Sequence, residues 1–115
     1  MYQFTYAEVV EDSPHEMRAR EHDALDRAVA LLEAARQTGA QSTEGLEALT
    51  YLRHLWTIFL DDLGSNGNDL PEDLRAQLIS IGIWIVKEIE RLRTGAQDSF
   101  DDLIEITAII RDGLA

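Results

Sequence analysis

Residues 74–92 read LRAQLISIGIWIVKEIERL, and this stretch restricts the folds that the chain can adopt. Between Leu78 and Val86 only Ser80 and Gly82 interrupt a run of nine mostly apolar residues. A helix needs about 20 apolar residues to span a bilayer. The stretch therefore predicts a helix of a soluble protein that must be covered by the rest of the chain, by a partner, or by both.

Glycine, proline and capping residues divide the rest of the chain into further helices. The predicted helices run from Ser13–Pro14 to Thr38, from Ser42 or Thr43 to Gly64, from a cap at Asn68 or Asp69 to Thr94, and from Ser99 to Gly113. Strand signals and internal repeats are absent from the sequence. We expect an all-α fold: a single compact domain of four main helices (13–115), preceded by a short N-terminal arm (1–12).

Each predicted helix carries one apolar stripe at helical spacing, and these stripes are expected to close on one another as the core. In chain order they are Met17, Ala24, Leu25, Ala28, Leu31, Leu32 and Ala35; Leu49, Leu52, Trp56, Phe59, Leu60 and Leu63; Leu74, Leu78, Ile81, Ile85, Ile89 and Leu92; Phe100, Leu103, Ile104, Thr107, Ile110 and Leu114. Gly82 is unfavourable inside a helix, so we expect a neighbouring helix to pack closely there.

Four bulky apolar residues fall outside the stripes and form a candidate partner-binding surface. Ile58, Trp84 and Ile109 lie among charged side chains on the helical wheel, with Tyr51 beside Ile58, and Ile83 lies near Glu90 and Ala76. Isolated exposed apolar residues are ordinary, whereas a contiguous apolar patch marks an interaction site. A slightly rotated helix, or coverage by the N-terminal arm, would equally account for these four residues, and both alternatives stay open.

The N-terminal arm is rich in aromatic residues. Tyr2, Phe4 and Tyr6 alternate as in an extended strand, while Tyr2, Tyr6 and Val9 share one face of a helix, so the pattern does not decide its conformation. One interpretation is simple completion of the core. The functional alternative is a cover or anchor at a peptide groove, which suits the amphipathic tyrosine side chain.

Composition excludes several classes of function. The chain has 10 basic and 22 acidic residues, a net charge of −12, which opposes direct binding to nucleic acid or to anionic lipid. Cysteine is absent, so disulfides, thiol catalysis and thiolate metal sites are excluded. The N-terminus lacks the features of a signal peptide, and we expect a cytoplasmic protein that is not inserted in a membrane and has a basic or apolar protein partner.

No arrangement of residues predicts catalysis, a metal or a cofactor. His15, His22 and His54 do not have the spacing of metal ligands. The adjacent pairs Asp61–Asp62 and Asp101–Asp102 diverge by about 100° around their helices, so neither pair converges on one substrate. Phosphate-binding loops are absent as well. We expect a protein that is not an enzyme.

Several segments resemble the FlaF family of flagellar biosynthesis regulators from alphaproteobacteria. The resemblance rests on MYQ at residues 1–3, YAEV at 6–9, YLRHLW at 51–56, NDLP at 68–71, LISIGIW at 78–84, and LIEIT and IIRDGL at 103–107 and 109–114. It covers essentially the whole chain in order and spacing, except for residues 37–49, where no segment matches.

The resemblance implies a cytoplasmic helical protein needed for flagellin production and secretion. It implies a flagellin chaperone that works with FlbT, a regulator of flagellin translation. Such a chaperone would hold an amphipathic terminal helix of flagellin by its apolar face. Two alternatives stay open: an adaptor that meets FlbT, or a homodimer that covers the same apolar residues. If Trp84 contacts flagellin, Trp84→Asp should weaken the complex and leave helicity intact.

Overall fold

The protein is described by a computed structural model that covers residues 14–113, with side chains from residue 19 onward. Four helices make up this part of the chain, and it contains no strands. They are α1 (Pro14–Thr38), α2 (Thr43–Leu63), α3 (Glu72–Thr94) and α4 (Asp101–Gly113). The expected all-α bundle is confirmed, and three of the four helices begin and end within two residues of their predicted positions.

Local capping chemistry sets most helix ends. The Ser42 hydroxyl accepts a hydrogen bond from the Gly45 amide at 2.9 Å, which caps α2. Gly39 and Gly95 follow α1 and α3 with φ of 98° and 87°, left-handed conformations that glycine adopts without strain. The start of α3 differs from the prediction. Pro71 occupies the capping position, and the predicted cap Asn68 instead accepts a hydrogen bond from the Leu70 amide.

The helices pack in the spatial order α4, α1, α2, α3. α1 packs against both α2 and α4, and α2 packs against α3. Two ion pairs join α1 to the two ends of α4, Arg36 near the end of α1 to Asp101 at 3.2 Å and Asp26 in the middle of α1 to Arg111 at 3.0 Å, so these helices are antiparallel. In the described part of the chain, α3 and α4 form no comparable interface.

The core lies between the four helices and agrees largely with the predicted stripes. Its fully buried side chains include Leu25, Leu32, Leu52, Trp56, Ile85, Ile89, Leu92, Phe100 and Leu103. Gly82 brings α3 against α2 as expected, because a Cβ at this position would lie 2.7 Å from the Trp56 ring. Leu74 was predicted in the core and is 42% exposed, because it lies in the first turn of α3, beyond the cover of α4.

Glu88 is a buried acidic residue on α3. Its side chain is 4% exposed, and its carboxylate accepts hydrogen bonds from Gln97 and Arg91, each at 3.2 Å. Gln97 also accepts from the backbone amides of Asp98 and Ser99. The connection between α3 and α4 therefore folds back over Glu88 and supplies donors to its charge, which offsets the loss of hydration on burial.

Candidate groove between α3 and α4

An apolar groove of about 310 Å³ opens between the N-terminal half of α3 and the C-terminal half of α4. Leu74 and Leu78 line it from α3, and Ile110 lines it from α4. The remaining lining residues come from α1, from α2 and from the connection between α2 and α3: Glu21, Leu25, Trp56, Phe59, Asp62, Leu63, Asn68 and Leu70. The groove is therefore apolar inside, with polar groups at its edge, as in sites that bind apolar ligands or side chains.

Helix lengths explain why the groove exists. α3 has 23 residues and α4 has 13, which correspond to about 35 Å and 20 Å at 1.5 Å per residue. The short connection returns the chain beside the C-terminal end of α3, so α4 is too short to reach its first turns. The apolar stripe of α3 continues into those turns, and Leu74 and Leu78 face the groove instead of a fourth helix.

Trp56 and Phe59 form the floor of the groove and pack closely on their neighbours. Trp56 is 1% exposed and packs edge-on against Phe59, with ring centroids 5.3 Å apart and planes at 85°. On its other side the Trp56 ring meets the backbone of α3 at Gly82. The indole Nε1 is buried without a hydrogen-bond partner among the described residues. Packing from two helices thus orients the ring, and no described residue adds a hydrogen bond to it.

The mouth of the groove is acidic. Residues 61–73 contain five acidic residues and no basic ones, and this segment supplies Asp62, Leu63, Asn68 and Leu70 to the lining. The Asn68 amide donates to the Asp62 carboxylate at 3.1 Å, and this bond joins the end of α2 to the following connection. A negative field at the mouth favours cationic ligands and repels anionic ones.

Residues 14–113 contain neither a candidate metal site nor a helix that could span a membrane. No three His, Cys, Asp or Glu side chains there are grouped so that they could hold a metal ion. None of the helices described has the length and apolar character that crossing a membrane requires.

A family model described as flagellar protein FlaF matches residues 2–114. The chain belongs to the FlaF family. Membership implies a role in flagellar biosynthesis, and the family is not a known enzyme family. Neither the search of curated proteins nor the search of solved structures gave a match.

The four outlying residues predicted as a partner surface are exposed in this FlaF-family protein. Ile58 is 51% exposed, Ile83 47%, Trp84 41% and Ile109 58%. None of them lines the groove. Ile83 and Trp84 are adjacent on α3 and therefore point about 100° apart. Their exposure is confirmed, while their role in binding stays a prediction.

The predicted tyrosines have different outcomes. Tyr51 is half-buried, its hydroxyl donates to the Ala24 carbonyl at 3.3 Å, and the Arg27 guanidinium lies 5.5 Å from the ring centroid. These contacts make it part of the interface between α1 and α2. Tyr2 and Tyr6 lie outside the described residues, so the predicted arm and its contacts stay predictions.

Sequence reasoning missed the groove because it assigned Leu74 and Leu78 to a closed core. The predicted helix boundaries contained the signal that could have revealed it, since the last helix was much shorter than the third. Asp62 was considered only as half of an acidic pair. Asp62 is exposed but lines the groove, whereas Asp61 in the same turn of α2 does not.

Proposed function

We propose that this FlaF-family protein is a cytoplasmic flagellin chaperone whose groove takes the apolar face of a terminal flagellin helix before export. The observation that supports the proposal is the apolar stripe of α3, which the described residues leave partly uncovered at Leu74 and Leu78, in the wall of the groove above Trp56 and Phe59. Terminal flagellin helices polymerise through their apolar faces, as the family resemblance implies. A protein that covers such a face prevents early assembly.

The size of the groove defines how a helix would bind. Its volume is equivalent to about ten water molecules at about 30 Å³ each. An α-helix with its side chains is about 10–12 Å wide, so the groove accepts side chains and leaves the partner's backbone outside. The expected mode is a helix lying across the mouth, with apolar residues at i, i+3 or i+4, and i+7 inserted between α3 and α4.

The test measures binding of the N-terminal and C-terminal helical segments of flagellin to the purified protein by calorimetry. Leu74→Asp places a carboxylate in the wall of the groove. We expect it to reduce the binding free energy by at least about 1.4 kcal/mol, which corresponds to at least tenfold weaker binding. Ile83→Asp is the matched control, because Ile83 lies on the same helix with a similar exposure of 47% but outside the groove. Circular dichroism checks that both variants keep their helicity.

Equal weakening by both substitutions, or by neither, would contradict the groove as the flagellin site. Flagellin that lacks its C-terminal segment distinguishes the two ends of the partner. Retained binding to that truncated flagellin would exclude the C-terminal helix as the segment held by this protein.

A second function is favoured by the exposed apolar residues outside the groove. Ile58, Ile83, Trp84 and Ile109 are available for a second partner, and a FlbT-type regulator of flagellin translation is the partner that the family resemblance implies. A second copy of the chain could cover the same residues. This adaptor hypothesis predicts that Ile83→Asp or Trp84→Asp abolishes FlbT binding and leaves flagellin binding unchanged. Sedimentation of the protein alone tests the homodimer.

A further inference from the structure

The C-terminal turn of α2 carries the opposite charge from the one its position favours. The carbonyl end of a helix has a partial negative charge and is stabilised by cations. The last turns of α1, α3 and α4 carry arginines: Arg36, Arg91, Arg93 and Arg111. The last turn of α2 has no basic residue and instead holds Asp61 and Asp62. The partial negative charge at the end of α2 and the charges of the two carboxylates therefore reinforce one another at the mouth of the groove.

No cation of the described residues neutralises this charge. Asp62 accepts a hydrogen bond from Asn68, which is a neutral donor. Arg111, at the C-terminal end of α4, already forms ion pairs with Asp26 and Asp112, each at 3.0 Å. Arg75, on the second turn of α3, forms no ion pair in the described part of the chain. As far as the described side chains go, the acidic mouth is thus an uncompensated negative field beside an apolar cavity.

We infer that the groove selects an amphipathic helix with lysine or arginine in the terminal turn that docks beside Asp62. This inference rests on the proposed function and adds a charge requirement to it. The apolar lining would bind any helix with a suitable face, whereas the field at the end of α2 discriminates by charge. Electrostatic complementarity of this kind sets the orientation of a partner and rejects like-charged competitors. The cationic turn thereby fixes which end of the partner helix lies at α2.

The experiment uses two designed 18-residue helical peptides with the same apolar face. One carries two lysines in its terminal turn, and the other carries two glutamates at the same positions. Calorimetry with the full-length protein at low ionic strength is expected to give at least tenfold tighter binding of the lysine peptide. The preference should shrink strongly in 1 M salt, because the Debye length falls from about 10 Å at 0.1 M to about 3 Å.

Charge reversals at neighbouring positions separate a local contact from the general acidity of the protein. Asp62→Lys and Asp61→Lys change the net charge equally in the same helical turn, but only Asp62 lines the groove. Asp62→Lys is expected to abolish or invert the preference between the peptides. Asp61→Lys should retain most of it. The peptide with two glutamates should bind the Asp62→Lys variant more tightly than it binds the unaltered protein.

Equal affinity for the two peptides, equal effects of the two reversals, or no binding of the lysine peptide would overturn the inference. Flagellin segments could bind in the groove, with binding weakened by Leu74→Asp, and yet show no charge preference. In that case the chaperone proposal stands and this inference is wrong. Self-association of the protein that Asp62→Lys abolishes would identify a second copy as the occupant, and would also overturn it.

Discussion

Replacing Gly82 by alanine adds one methyl group where α3 packs against α2. A Cβ at this position would lie 2.7 and 2.9 Å from two atoms of the Trp56 ring and 2.8 Å from a methyl group of Leu60. Leu60 can rotate away because it is half-buried. Trp56 is 1% exposed and in contact with Phe59, so it can move only if α2 and α3 separate or if the ring shifts towards the groove.

Two opposing effects determine the size of the change. Alanine is more favourable than glycine in a helix interior by about 0.8–1.0 kcal/mol. Overpacking a well-filled core costs about 1–3 kcal/mol. The expected net result for Gly82→Ala is a loss of about 0–2 kcal/mol in the free energy of unfolding, with the steric contribution larger than the gain in helix propensity. Because the Trp56 ring forms the floor of the groove, peptide binding should weaken as well.

Urea unfolding followed by circular dichroism measures the stability of this variant, and position 80 supplies the control. Ser80 is exposed on the same helix, so the difference between Ser80→Ala and Ser80→Gly reports helix propensity without a packing effect. Subtracting it from the difference between alanine and glycine at position 82 isolates the steric cost, expected at about 1–3 kcal/mol. If alanine stabilises position 82 as much as position 80, the close packing of α2 and α3 at Gly82 is refuted.

Three further predictions concern charge and polar contacts. Asp61→Lys should raise the free energy of unfolding by about 0.3–1 kcal/mol at low salt, because it places a cation at the carbonyl end of α2; an unchanged urea midpoint would contradict this. Gln97→Ala should lower the free energy of unfolding by about 1.5–3 kcal/mol, since the buried Glu88 carboxylate loses a hydrogen bond, and thermal unfolding measures the loss. The hydrogen bonds from Arg93 hold the pKa of Glu90 below its ordinary value of 4.5. The ionised Glu90 therefore stabilises the folded state above about pH 4.5, and this contribution disappears as the pH falls through the lower pKa of the folded state. Glu90→Gln should therefore make the melting temperature less dependent on pH in that acidic range, and an unaltered pH profile would contradict the assignment.

The helical fold follows from features that act locally along the chain. Capping serines, glycines in left-handed conformations and apolar residues at helical spacing operate within a few residues, so the sequence displays them directly. Ser42 and Gly95 begin and end helices as expected. The close approach of a neighbouring helix at Gly82 was also predicted, because glycine is unfavourable inside a helix, but the contact with Trp56 was not.

The groove depends on contacts between distant segments, and a helical wheel does not contain that information. Leu74 and Leu78 have the periodicity of core residues, and among the described helices the short length of α4 leaves them partly uncovered. Glu88 shows the same limitation, since its burial depends on a hydrogen bond from Gln97 in the following connection. Apolar periodicity predicts which face turns inward, but it does not predict what that face meets.

The proposed chaperone role requires that the groove between α3 and α4 receives an amphipathic helix of flagellin. Methyl NMR of the leucine- and isoleucine-labelled protein, titrated with the terminal helical segments of flagellin, tests this requirement most directly. We expect the largest shift changes at Leu74, Leu78 and Ile110, with little change at Ile58 and Ile83. Changes concentrated at Ile58 and Ile83, with the groove methyl groups unaffected, would contradict it.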